Sequence, residues 1–204
     1  MTSGQELDTR VVRSRKALKA ALLKLLADKP FTRIKTSEIA KLAQINRVTF
    51  YDHYASKEEL LEEVIDDVLT EYADIIESLP GQTAAHATPD YLYKTIRSSV
   101  RHVKKHADFY RIMLLTNGVP DLSNKLHDQM SASLRKSFRQ AGSEHAEVEY
   151  ELFIDWIIGG AIGIYKYWLQ NGLRHSEEEI ARQMLIITTA SGQVFNPKRI
   201  ITME

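Results

Sequence analysis

The chain contains no cysteine among its 204 residues, which excludes disulfides, thiolate metal sites and cysteine nucleophiles. A reducing cytoplasm is the expected setting. It has no glycine-rich phosphate loop, no nucleophile elbow and no paired histidine-glutamate zinc motif, so the commonest signatures of enzymes are missing and neither catalysis nor a cofactor is expected. The first residues, MTSGQELDTRVVRSRK, lack the apolar core of a secretory signal. The longest apolar run, Trp156 to Tyr165, is bounded by Asp155 and Lys166. It has about half the ~20 residues of a helical membrane span, so it reads as a buried helix and no membrane association is expected. No run alternates apolar and polar residues as a half-buried strand does, and there is no internal repeat or low-complexity segment. What is present is a composition with 44% hydrophobic residues, enough for a real core in one or two compact domains.

The formal net charge is zero, yet the charges are unevenly placed. Up to Lys57 the chain carries +7, balanced by −7 in the rest. A basic end on an acidic body fits a polyanion-binding domain joined to a body that does not touch the polyanion. Plain unevenness of surface charge is the alternative.

Helical periodicity runs through the whole sequence, so the expected fold is all-α. Val11, Leu18, Leu22, Leu25 and Leu26 form the apolar side of a basic helix over residues 9–27, stopped by Lys29-Pro30. Thr36 is placed to cap a short second helix, residues 37–43, with Ile39 and Leu42 facing inward and Glu38 suiting its positive start. Asn46 caps a third, from Arg47 to about Tyr51. Ser56, with Glu59 completing a capping box, starts a long fourth helix that ends near Pro80-Gly81. Thr88-Pro89 begins the next. Further helices are expected at residues 89–105, 107–115, 120–140, 146–170 and 177–188, broken by Gly118-Val119-Pro120, Gly142 and Asn171-Gly172, with Ser176 and Glu179 as a last capping box.

Two short helices joined by a tight turn, the second capped and flanked by basic residues, can place one helix in the major groove of DNA. The string TSEIAKLAQINRVTFYDHYASKEELL resembles the DNA-binding region of TetR-family transcriptional regulators. Thr36, Ile39, Ala40, Ala43, Thr49, Phe50, Tyr51, His53, Tyr54, Lys57, Glu58 and Leu60 stand at matching positions. Gln44 replaces the usual turn glycine and Asn46 the usual serine. Asparagine caps about as well as serine, whereas glutamine at a position tending toward positive φ is mildly strained.

The resemblance implies an amino-terminal three-helix helix-turn-helix domain, residues 1–56, and a carboxy-terminal ligand-binding and dimerisation domain, residues 57–204, with helix 57–79 linking them. Arg47, Val48 and Tyr51 then begin the recognition helix. Arg47 is suited to guanine and Val48 to a thymine methyl. Thr36, Thr49, Tyr51, His53 and Lys57 are suited to phosphate oxygens. Ile39, Leu42, Ile45, Phe50 and Tyr54 pack the small core. Near the other end, ELFIDWIIGGAIGIYKYWLQNGLRHSEEEIARQM is similar to the ending of the family's regulatory domains. Gly159, Gly160 and Gly163 cost roughly 1 kcal/mol each against alanine within a helix, so close helix approach is expected to compensate. Together with Tyr167 they mark a dimer interface, or else tight packing within one subunit. A homodimer also follows from the need to read paired half-sites. A pocket for a small-molecule effector is expected around His102, His106, Tyr110, Met113 and Trp156, each of which could equally be plain core. His102 and His106, four apart on one helical face, have metal-ligand spacing, but no third ligand stands in the same motif, so no metal is expected.

The reading this supports is a homodimeric repressor of a palindromic operator on double-stranded DNA, released by a small-molecule effector. An activator or co-regulator of the same fold is the alternative. From a different class, a helical small-molecule binder or enzyme with an incidental basic edge is the other.

Overall fold

The structure, a computed structural model, describes residues 3–79, 89–115, 122–138 and 149–192. The described residues form nine α-helices and one 3-10 turn, with no strand among them: α1 Ser3–Asp28, the turn Phe31–Arg33, α2 Thr36–Leu42, α3 Arg47–His53, α4 Lys57–Glu77, α5 Pro89–Lys105, α6 Ala107–Leu115, α7 Leu122–Phe138, α8 Tyr150–Gln170 and α9 Glu177–Gly192. The expected breaks at Pro80-Gly81, Gly118 to Pro120 and Gly142, and the Thr88 cap, lie outside the described residues.

The chain divides into two compact units. The described part of the first comprises residues 3–68 and 112–115, that of the second 69–79, 89–111, 122–138 and 149–192. The boundary thus falls inside α4, not at its start, because Leu60, Leu61, Val64, Ile65 and Val68 on its first turns are buried residues of the amino-terminal unit. In that unit α1 packs on α2, and α2 on α3. Leu18, Leu22, Phe31, Ile34, Ile39, Phe50 and Tyr54 are buried there, each full burial of a large apolar side chain contributing about 1.5–3 kcal/mol.

Local chemistry sets the helix ends. Thr36 is the first residue of α2 and not its cap, since the Glu38 carboxylate reaches back to the amide of Lys35 (2.9 Å), making Lys35 the boundary. Leu42, expected inside, is 40% exposed, because a helix of only two turns has few positions that can point inward. The α2 end is a Schellman motif: the Ile45 amide donates to the Ala40 carbonyl (2.9 Å) and the Gln44 amide to the Lys41 carbonyl (3.1 Å). Gln44 sits at φ +57°, the left-handed position that glycine usually fills. Asn46 caps α3 by accepting from the Val48 amide at 2.9 Å. Ser56 caps α4 through the Glu59 amide (3.1 Å), while the Glu59 carboxylate returns to the Ala55 amide (2.6 Å), one residue earlier than expected.

In the second unit α5 packs on α9 and α7 on α8. Ser176 and Glu179 form the expected reciprocal cap of α9, at 3.1 and 2.7 Å. Between α8 and α9 both Gly172 and Leu173 take positive φ, and Trp168, fully buried, donates from Nε1 to the His175 carbonyl across this turn (2.9 Å). The helix α8 is apolar and long enough by composition to span a membrane, with a mean hydropathy of 1.2. It is not buried all round, contrary to the expectation from its sequence. Phe153, Ile154, Ile158, Ala161, Tyr165, Trp168 and Leu169 face the core, and a second face is exposed.

Candidate functional site

Helix α3 has an anchored side and an open side. On the anchored side Phe50 is wholly buried. Arg15 on α1 donates from Nε to the Tyr54 hydroxyl (3.2 Å), and the same guanidinium pairs with Glu63 on α4. His53 Nε2 lies 2.6 Å from the Ser14 hydroxyl. That hydroxyl also faces the carbonyls of Arg10 and Val11 at 2.9 Å, and when it donates to one of them it accepts from the imidazole. The sequence reading turned His53 toward phosphate; in the structure this nitrogen is spent on holding α3 against α1.

On the open side Arg47, Val48 and Tyr51 are exposed, Val48 by 66%, and Asp52, which the sequence reading did not single out, stands exposed beside them. The Tyr51 hydroxyl is 3.2 Å from Thr36 Oγ1 and accepts from Arg47 at 3.4 Å. The Arg47 guanidinium also lies 5.6 Å from the Tyr51 ring centroid. The hydrogen bonds from Thr36 and then Arg47 hold the Tyr51 hydroxyl below the usual tyrosine range. Thr36, Arg47 and Tyr51 therefore form one surface cluster, joining the start of α2 to the start of α3. They border an open depression of about 520 Å³ whose other walls include Lys35, Ser37, Ser56 and Lys57. Thr49 is half-buried.

Lys57 departs most from its expected role. Its ammonium donates to the carbonyls of Phe31 and Ile34, both at 2.9 Å, and sits 4.5 Å from the Phe31 ring centroid. Two of its three donors are thus committed to the chain between α1 and α2. The basic face is reduced elsewhere too: Lys19 pairs with Glu63 and Asp67 (2.5 Å each) and Lys29 with Glu38 (2.6 Å). Arg10, Arg13, Lys16, Lys24, Arg33, Lys35, Lys41 and Arg47 remain exposed.

The second unit holds a cavity of about 120 Å³, walled by α4, α5, α7, α8 and α9. Its lining is apolar (Ile76, Leu92, Ile96, Met130, Ile164, Met184, Ile187) apart from Thr95, Thr188 and a buried hydroxyl group cluster. In that cluster Ser99 donates to Tyr72 (3.2 Å) and lies 2.5 Å from the Tyr165 hydroxyl. Burial pushes the Tyr72 and Tyr165 hydroxyls above the usual tyrosine range, so both stay neutral. Of the five residues the sequence suggested for a ligand, Trp156 alone lines this cavity. Ser99 reaches it, but at about 1.5 Å of rise per residue His102 and His106 lie beyond its end along α5, where they meet Glu71 and, through His102, the ring of Tyr110. Met113 is buried in α6 and does not line it.

Gly159, Gly160 and Gly163 are exposed, and a Cβ at any of them would meet nothing within 4 Å. Among the described residues they make no close approach to another helix, so tight packing against the described helices does not explain them. They share the exposed face of α8 with Leu152, Trp156 and Tyr167, at 62%, 54% and 54% exposure, and α9 exposes Ile186 and Ile187.

Residues 18–64 match the family model for bacterial regulatory proteins of the tetR family, and residues 90–190 match that for a transcriptional regulator C-terminal region. The uncharacterised HTH-type transcriptional regulator YxbF of Bacillus subtilis is 31% identical over 182 residues, 89% of this chain. The match spans about half of that relative, 46% of its length. Among solved structures, a TetR transcriptional regulator from Streptococcus agalactiae superposes with a TM-score of 0.66 at 19% identity, covering 91% of this chain and 99% of its own. The regulator FadR of Bacillus subtilis, solved with stearoyl-CoA, gives 0.63 at 13% identity, covering 86% and 98%. With two short helices in helix-turn-helix order, a second all-helical unit and matches across both, the chain belongs to the TetR family of bacterial DNA-binding transcriptional regulators.

Proposed function

We propose that the chain is a homodimeric repressor that reads a palindromic operator through the open side of α3 and acts without catalysis, in the cytoplasm where its DNA lies. The observation that carries this reading is the exposed group of Arg47, Val48 and Tyr51, held outward by the burial of Phe50 and by the bonds of His53 and Tyr54 to α1. Arg47 can donate two bonds to a guanine edge and Val48 can meet a thymine methyl. Thr36, Thr49 and Tyr51 take phosphate oxygens and set the register; Lys57 offers at most its third donor. The second copy is supported by the exposed apolar face of α8 and α9, where glycines without neighbours leave room for a partner helix.

The small-molecule effector belongs in the cavity. The cavity of about 120 Å³ compares with about 10–15 Å³ for a single water, so an apolar group of several heavy atoms fits, with Ser99 and its tyrosines as polar handles. Trp156, Gly160 and Ile187 line the cavity and also lie on the exposed face of α8 and α9. A ligand there releases DNA only insofar as it prefers the arrangement of helices that does not bind it.

Selection from random duplex DNA tests the core of this reading. The expected result is one shared palindrome, bound with a steep salt dependence. Arg47→Ala is expected to relax preference at one position of each half-site, at about 1–3 kcal/mol of discrimination. No shared sequence, or an equal loss on all sequences for Arg47→Ala, would refute it. Trp156→Glu should convert dimer to monomer in sedimentation. Transcription of the target with and without the protein separates repression from activation.

A further inference from the structure

His102 and His106 are one turn apart on α5, and their ring centroids are 4.6 Å apart. Glu71 meets them from α4. One carboxylate oxygen lies 3.0 Å from His106 Nε2, the other 3.8 Å from His102 Nδ1. The three potential ligand atoms all lie within 4.8 Å of one another. The third ligand that the sequence could not supply is therefore present, from a helix more than thirty positions earlier in the chain.

We propose that Glu71, His102 and His106 bind one divalent transition-metal ion, Zn²⁺ by preference. Tetrahedral zinc with bonds of about 2.0–2.2 Å holds its ligand atoms about 3.4 Å apart; the 3.0 and 3.8 Å contacts, made by different oxygens of Glu71, lie on either side of this, while the three ligand atoms as they stand are up to 4.8 Å apart. Binding an ion therefore requires the side chains to draw together by up to about 1.4 Å. Two imidazoles and one carboxylate suit zinc, nickel or copper, not calcium or magnesium, which take oxygen ligands. His102 is buried while the Glu71 and His106 side chains are 34% and 22% exposed. One side is therefore dry and rigid, and the other gives an entry path and room for a fourth, water ligand. Glu71 now accepts a hydrogen bond from the Lys105 ammonium. Lys105, at 2.5 Å and 61% exposed, is the competitor that a metal displaces. The bound ion would join the carboxy-terminal half of α4 to α5, with all three ligands in the second unit.

Tag-free full-length protein, stripped with chelator and dialysed, is titrated with Zn²⁺ by calorimetry and with Co²⁺ by visible absorption. One equivalent and the intense d–d bands of four-coordinate cobalt are expected. Glu71→Gln and His106→Gln, both at partly exposed positions and checked for folding by circular dichroism, should each weaken binding at least about a hundredfold, beyond the loss typical of an outer-shell partner. Lys105→Ala should tighten it severalfold, an effect that a purely structural ion-pair cluster would not show. Absence of a stoichiometric site in the wild type, variants that bind as well as it does, or no tightening in Lys105→Ala would overturn the proposal. None of these readouts involves DNA, so failure here is separable from failure of the operator-binding reading.

Discussion

Replacing Lys57 with methionine separates two roles that its sequence position leaves entangled. Methionine keeps most of the aliphatic stem over Phe31 and removes the charge. If the ammonium serves mainly to bind a DNA phosphate, stability should hold and the slope of log affinity against log salt should fall by about 1. The structure supports the opposite. Two hydrogen bonds from a charged donor to the Phe31 and Ile34 carbonyls contribute about 1.5–3 kcal/mol each, and the contact with the Phe31 ring adds about 0.5–1 kcal/mol. Ordering a lysine costs up to about 2 kcal/mol. The net expected loss is about 1.5–5 kcal/mol, or roughly 3–20 °C in the unfolding midpoint for a chain of this size. Both tryptophans, Trp156 and Trp168, lie in the second unit, so their fluorescence would miss the event. Far-UV circular dichroism in urea, with hydrogen exchange at the α2 and α3 amides, would register it. A Lys57→Met protein that melts within about 1 °C of the wild type, inside the range of ordinary surface substitutions, while losing a unit of salt slope would refute the structural role.

Gln44→Gly should stabilise the first unit by about 0.5–1 kcal/mol, since the left-handed conformation costs a side chain more than the extra freedom of glycine costs in the unfolded state; Gln44→Ala, which keeps the strain, should not, and equal midpoints for the two would refute the account. Asn46→Ala removes the acceptor of the Val48 amide and should cost about 1 kcal/mol in urea unfolding. Glu63 is subject to burial, which raises its pKa, and to the Arg15 and Lys19 bonds, which outweigh it and leave the carboxyl lowered. Its contribution is therefore full above the unfolded value of about 4.3 and is lost as pH falls through the lower folded value. Glu63→Gln should flatten the acid limb of the stability curve below about pH 4.5, and an unchanged limb would count against the pairing.

What was legible in the sequence was local. Periodicity places the helices because burial repeats every three to four residues, and the Asn46, Ser56 and Ser176 caps are readable because each bond spans two or three residues. The strain at Gln44 was legible for the same reason. Roles that depend on distant partners were not. Ser14 and His53 are 39 positions apart, Lys57 and Phe31 are 26 apart, and nothing near His53 or Lys57 in the sequence records the partner. The cavity draws its wall from five helices, so aromatic residues at helical spacing could not show which of them face it. The cost of the α8 glycines is legible in the sequence, but only the empty space around them shows that no described helix of the same chain approaches closely.

Charge illustrates the same limit and changes the physical picture of recognition. Counting to Lys57 gives +7, yet the first unit continues along α4 through Glu58, Glu59, Glu62, Glu63, Asp66 and Asp67, and counting to Val68 leaves +1. Some of those acids are partners of α1, since Arg15 and Lys19 are turned toward Glu63 and Asp67. A unit so nearly neutral exerts little long-range pull on a polyanion once salt screens charges beyond about 8–10 Å. Attraction to DNA must therefore come from cations close to the surface that meets it. Around α3 those include Lys35 and Arg47, with the third donor of Lys57, and the exposed Arg10, Arg13 and Lys41 of α1 and α2, set against the exposed acids Asp52 and Glu58. On the proposed operator reading, discrimination between sequences falls to Arg47 and Val48, and the geometry of the Thr36, Arg47 and Tyr51 cluster, not the total charge of the domain, sets their register.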